Sequence, residues 1–143
     1  TVIETQKDTE RLIENTHESV KLTLDTGHML FAKGDSKSIL QNYYERILHV
    51  HCKDIRKQVL EKSLKEDLSF RGAFLEGAFT VPGDGCIDYQ PLFNVLKNNN
   101  YSGWLVVEAE QDPAKANPLE YAKIGYKYLT DTLKKSEIEI YKN

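Results

Sequence analysis

An α/β fold with parallel strands, the C-terminal part of a (β/α)8 barrel, is what three observations predict. Short apolar runs that read as strands alternate with helical patterns along the chain. An ionisable residue closes each of three such runs: Asp25 after Lys21-Leu22-Thr23-Leu24, His51 after Ile47-Leu48-His49-Val50, and Glu108 after Trp104-Leu105-Val106-Val107. Finally, three strands are too few to stand alone. An open three-stranded parallel sheet leaves a face uncovered, whereas a closed barrel needs eight strands and about 250 residues. The 143 residues begin at Thr1 inside a helix-like pattern, so we expect a portion of a longer chain or a processed product.

The elements follow in order. Asp8 to Thr16 reads as the end of an amphipathic helix, followed by the first strand and its Asp25. Residues 26–34 lead to Asp35 or Ser36, either suited to cap a short helix carrying Ile39, Leu40, Tyr43 and Tyr44. The second strand runs from Arg46 to Cys52. Residues 54–78 hold two helical patterns, Val59, Leu60, Leu64 and Leu68, then Phe70, Ala73, Phe74 and Leu75; they read as an inserted lid. Phe79-Thr80-Val81 enters the turn signal Pro82-Gly83-Asp84-Gly85, and Asp88 suits the cap of a helix with Leu92, Phe93, Val95 and Leu96. After the third strand, Gly103 to Glu108, Asn117 caps and Pro118 opens a terminal helix whose expected buried stripe is Tyr121, Ile124, Tyr128 and Leu129. Residues 1–143 are thus taken as the C-terminal half of one barrel domain with a helical insertion at 54–78.

Composition excludes several classes. With 40% hydrophobic and 29% charged residues and a formal net charge of −3, the chain is a folded domain rather than a disordered one. No basic stretch supports nucleic-acid binding, and no apolar run approaches the roughly 18 residues of a membrane span. Thr1 to Thr5 lack a basic-then-apolar signal pattern. Cys52 and Cys86 form no framework of paired spacings, so thiols and a cytoplasmic location are expected.

Parallel barrel strands all end on one face, where Asp25, His51 and Glu108 converge. Side chains alternate along a strand, which puts Thr23 and Asp25 inside and turns Leu22 and Leu24 toward the helices. The same parity sets His49 one layer beneath His51 and Val106 beneath Glu108, and Glu110 shares it beyond the strand end. His28 reaches the pocket from the loop rim, and Cys52 points away into packing. Carboxylate plus imidazole suits Mn²⁺, Co²⁺, Fe²⁺ or Zn²⁺. A strand-ending Asp is also a common turn-former, and Lys53-Asp54 reads either as a surface ion pair or as substrate-contacting groups on a βα loop. The charge run at 61–67 is a solvated helix face.

Four motifs carry a resemblance: Leu24-Asp25-Thr26-Gly27-His28, His49-Val50-His51-Cys52-Lys53-Asp54, the stretch Phe79 to Asp88 with Pro82-Gly83-Asp84-Gly85, and Trp104 to Pro118. Together they closely resemble the C-terminal half of the myo-inosose-2 dehydratases of inositol catabolism, within the xylose-isomerase-like barrels. The resemblance implies a metal-dependent hydro-lyase that dehydrates scyllo-inosose (2-keto-myo-inositol) to a trihydroxycyclohexane-1,2-dione through an enolate. It implies manganese or cobalt, with glutathione as an associated requirement. It makes Asp25, His51 and Glu108 the last three members of a Glu-Asp-His-Glu metal set and His28 a substrate contact. The set's first Glu and the N-terminal half of the barrel would precede Thr1, so the isolated 143 residues are expected to be inactive. That first Glu, Glu108, His28, His49 and Lys53 are the candidates for acid and base, and His28, Lys53 and Asp84 for substrate binding. A homo-oligomer is expected. The alternatives are a sugar or sugar-phosphate isomerase or epimerase of the same superfamily, or a non-catalytic binding module.

Overall fold

The computed structural model describes residues 3–141; Thr1, Val2 and residues 142–143 lie outside the described residues, as do the parts of the signal-pattern and domain-boundary readings that fall on them. Helix α1, Gln6–Glu14, starts at a reciprocal cap in which Asp8 N–H donates to the Thr5 hydroxyl and Thr5 N–H to the Asp8 carboxylate. Strand β1, Leu22–Asp25, leads directly into helix α2, Thr26–Phe31. Residues 26–31 are therefore a helix rather than an open loop. The cause is Asp25, whose Oδ1 accepts the His28 N–H and caps the turn. Asp35 caps α3, Ser36–Tyr43, and a 3₁₀ turn at Tyr44–Arg46 delivers strand β2, Ile47–Cys52.

Strand β3, Asp54–Ile55, pairs antiparallel with β4, Phe79–Thr80, and pins both ends of the 54–78 segment; between them lie α4, Lys57–Lys65, and α5, Phe70–Leu75. Helix α6, Gln90–Asn98, follows; Asp88 accepts the Gln90 N–H, one residue ahead of the cap position at Tyr89. Strand β5, Trp104–Val107, and α7, Pro118–Lys135, complete the chain, with Asn117 accepting the N–H groups of Leu119 and Glu120.

β1, β2 and β5 form one parallel sheet with β2 in the middle. A bulge between Leu22 and Thr23 skips Leu48, so Leu22 pairs with Ile47 but Thr23 pairs with His49. Beyond that bulge Leu24, Val50 and Cys52 share the helix-facing side. They pack with Ile39, Leu40, Phe93, Leu96, Leu129 and Leu133 into the main core. A second, smaller core of Ile55, Ala73, Ala78 and Phe79 lies under the inserted helices.

The terminal helix corrects the expected stripe. Ile124 is 41% exposed, and the buried positions are Gly125, Leu129, Thr132 and Leu133. A Cβ at Gly125 would stand 2.6 Å from Val107 Cγ1, so the helix closes on β5 at the one residue without a side chain, which rotates Ile124 outward. Among the described residues no helix is long and apolar enough to cross a membrane.

Candidate metal centre

Strand register assembles the site in layers. Asp25 pairs with His51 across β1 and β2, and His51 with Val106 across β2 and β5. Same-face residues recur at every second position. Lys53, two past His51, and Glu108, two past Val106, therefore form the next layer, and Glu110 the one beyond. The His51 Nδ1 lies 3.6 Å from both Asp25 Oδ2 and Glu108 Oε2, and one ligand atom from each of the three residues falls within a 4.8 Å span. Asp25 thus uses Oδ1 to cap α2 and turns Oδ2 to the cluster.

The Lys53 side chain, 1% exposed, ends in the middle of these groups. Its Nζ is 2.8 Å from Glu108 Oε2, 3.1 Å from Glu110 Oε2, 3.2 Å from Asp25 Oδ2 and 2.8 Å from His28 Nε2. Burial works to lower the lysine pKa, but the carboxylates of Glu108, Asp25 and Glu110 outweigh it, and the net shift is upward. His28 Nε2 also lies 3.2 Å from Glu110 Oε2. The His28 ring stacks on Phe70 of α5 at 5.4 Å and lies 5.3 Å from Phe79, so the inserted segment walls the site with aromatic surface.

The Asp-Thr-Gly-His motif has a physical reading at each position. The Thr26 hydroxyl and the Tyr89 hydroxyl both donate to the Lys53 carbonyl, at 2.7 and 2.9 Å, and hold the β2 exit where His51 and Lys53 face inward. Gly27 leaves room for the lysine stem, since a Cβ there would meet Lys53 Cγ at 2.7 Å. Asp25 and His28 then meet the two sides of its ammonium.

The other candidates separate. His49 sits beside His51, ring centroids 5.2 Å apart and edge-on, in register with Trp104 one layer below the ligands. Asp84 is held elsewhere: its Oδ2 takes the Arg56 guanidinium at 2.7 Å and the Thr80 hydroxyl at 2.6 Å. Lys53 and Asp54 are not a surface ion pair, because both are buried and point apart. Asp54 Oδ1 accepts the N–H groups of Ile55, Cys86 and Ile87, tying down the 82–87 loop, while burial raises its carboxyl pKa against those bonds. Tyr89 carried no recognisable functional signal in the sequence, and Thr26 and Gly27 entered only as members of the Asp-Thr-Gly-His motif. Glu110 carried one, through its parity with Glu108.

The residues fit a divalent cation. Glu108 Oε2 is buried, 3.6 Å from His51 Nδ1 and 2.8 Å from Lys53 Nζ. Three carboxylates, Asp25, Glu108 and Glu110, face the one ammonium of Lys53, so a second cation would balance the cluster. Two carboxylates and an imidazole are a donor set for Mn²⁺, Co²⁺, Fe²⁺ or Zn²⁺.

Comparison with known proteins agrees with this architecture. The chain is 52% identical to the inosose dehydratase of Clostridium beijerinckii over 92% of its own length and 44% of the relative's. It is 48% identical to that of Lactiplantibacillus plantarum over 93% and 45%. It therefore spans less than half the length of these relatives. Among solved structures, the IOLI protein with a bound zinc atom superposes with a TM-score of 0.65 at 21% identity, covering 93% of this chain and 45% of that one. A fusion of a xylose isomerase-like TIM barrel with 4-hydroxyphenylpyruvate dioxygenase gives a TM-score of 0.63 at 19% identity over 96% of this chain and 22% of that one. These two likenesses concern the fold. With parallel strands whose ends gather Asp25, His51 and Glu108, and a family profile matching residues 1–132, the chain belongs to the xylose isomerase-like TIM barrels.

Proposed function

We propose that this chain supplies three metal ligands and the acid–base groups of an inosose dehydratase, a hydro-lyase acting on scyllo-inosose. The observation that carries the reading is the convergence of Asp25, His51 and Glu108 beside Lys53 and His28, in a chain about half identical to inosose dehydratases. Manganese or cobalt is the proposed ion, with zinc, the metal of the IOLI neighbour, as a third choice. Held by Asp25, His51 and Glu108, it would supply Lewis-acid polarisation of the substrate ketone.

The side chains around that position divide the proton work. His28, the imidazole at the rim beside Lys53, would take the α-hydrogen as a proton. Lys53, whose ammonium faces Glu110 as well as the two ligand carboxylates, would give a proton to the departing β-hydroxyl, which leaves as water. The resulting enol tautomerises to the dione. Glu108 borders both the metal position and Lys53. His49 supports His51 from below, and Asp84 orders its loop through Arg56. The stacking of Phe70 on His28 supports a lid role for the 54–78 segment, shielding the reacting carbon from water. Glutathione remains an associated requirement by family. A cytoplasmic homo-oligomer accords with the two free thiols and with exposed Trp104 and Tyr126.

The test is the mass of the product formed by the intact protein from scyllo-inosose with Mn²⁺ or Co²⁺. Loss of one water is expected. A product of unchanged mass would move the assignment to an isomerase or epimerase. Metal binding without conversion would leave a binding module.

A further inference from the structure

The ammonium of Lys53 and a divalent ion would draw on the same two carboxylates. Lys53 Nζ is within 3.2 Å of Asp25 Oδ2 and 2.8 Å of Glu108 Oε2, the residues that also border His51 Nδ1. Once an ion takes those oxygens, the ammonium loses much of its compensation and is repelled at short range. A buried ammonium without a carboxylate beside it is costly. Among the described residues, Glu110 is the one carboxylate that touches Lys53 and stands outside the three-residue ligand group. Its Oε2 is buried and lies 3.1 Å from Lys53 Nζ and 3.2 Å from His28 Nε2.

We infer that Glu110 is a positioning residue that takes over the Lys53 ammonium when a divalent ion occupies Asp25, His51 and Glu108, so that both cations are held in one site. In this arrangement Glu110 draws Lys53 toward His28 and frees the two ligand carboxylates. It acts through Lys53 rather than on substrate or metal. The inference rests on the metal reading above, but not on the identity of the substrate.

The experiment is a double-mutant cycle on Mn²⁺ affinity in the intact protein, read by electron paramagnetic resonance of free Mn²⁺ so that turnover is not needed. The variants are Glu110→Gln, Lys53→Met and the pair; Gln and Met approximate the original shapes without the charges. With Lys53 present, Glu110→Gln leaves the ammonium competing for Asp25 and Glu108. The resulting loss of affinity is expected to exceed the loss in the Lys53→Met background by about tenfold. Equal losses in both backgrounds are what a remote negative charge alone produces, and they overturn the inference. No loss in either background overturns it equally. If the unaltered protein fails to bind Mn²⁺, the metal reading falls and takes the inference with it. Failure of the cycle alone, with Mn²⁺ bound, leaves the metal reading standing.

Discussion

The two faces of the three-stranded sheet are built from alternate residues of the same strands, yet they follow opposite rules. On the helix side Leu24, Val50 and Cys52 are buried among Ile39, Leu40, Phe93 and Leu129, and the Tyr89 hydroxyl of the same core is satisfied by the Lys53 carbonyl. On the concave side Asp25, His51 and Glu108 are only partly covered, and a buried carboxylate oxygen of Glu108 depends on the Lys53 ammonium. One face stabilises the fold by removing apolar surface from water. The other holds charged groups at short range, a cost that Lys53 partly offsets. A strand with period two can do both because a single-residue step exchanges the faces.

Three substitutions probe that division. The largest effect is expected for Leu24→Ala, which empties part of the main core and should lower stability by about 3 kcal/mol in denaturant unfolding. The folded fraction should bind Mn²⁺ as before; a parallel loss of affinity would mean that the faces are not independent. Next comes His51→Ala on the concave side. It should weaken Mn²⁺ binding on the order of 100-fold while leaving the unfolding midpoint of the metal-free protein nearly unchanged. A large drop in that midpoint would make His51 a structural residue.

The smallest effect concerns Asp54, a buried carboxylate that serves the 82–87 loop and not the cluster. Burial raises its pKa in the folded chain above the ordinary carboxylate value. The folded state therefore binds that proton more tightly than the unfolded state. The associated stability is full below the ordinary carboxylate range and is lost as pH rises through the raised value. Asp54→Asn keeps an oxygen for the three N–H groups and removes the titration, so its stability should fall less over that window than the native chain's. Identical slopes would show that Asp54 contributes no such linkage.

Glu110 and Asp84 show where pattern stops being informative. Both are acidic residues in loops of the sequence; strand parity relates Glu110 to Glu108 but does not say which partners either carboxylate meets. Only the folded chain takes Glu110 to Lys53 and His28 and gives Asp84 to Arg56 and Thr80. Tyr89 is a similar case, since its hydroxyl meets the carbonyl of Lys53 from 36 residues away. The helix at Thr26–Phe31 was hidden for another reason. Its start depends on Asp25 serving as a cap, and in the sequence that same residue already reads as a strand end and a ligand.

What the amino-acid sequence determined by itself was periodic and local: parallel strands in their order, an acidic or imidazole group at each strand end, the Asn117-Pro118 helix start and the paired helices of residues 54–78. Alternation and capping act over a few residues, so they can be read without coordinates. Only the tertiary structure decided which face α7 buries, how the Leu48 bulge sets the register of β1 on β2, and that a buried lysine stands among the ligands. Those outcomes depend on close approach between distant segments, Gly125 on Val107 and Gly27 on the Lys53 stem, and a linear pattern does not encode that distance.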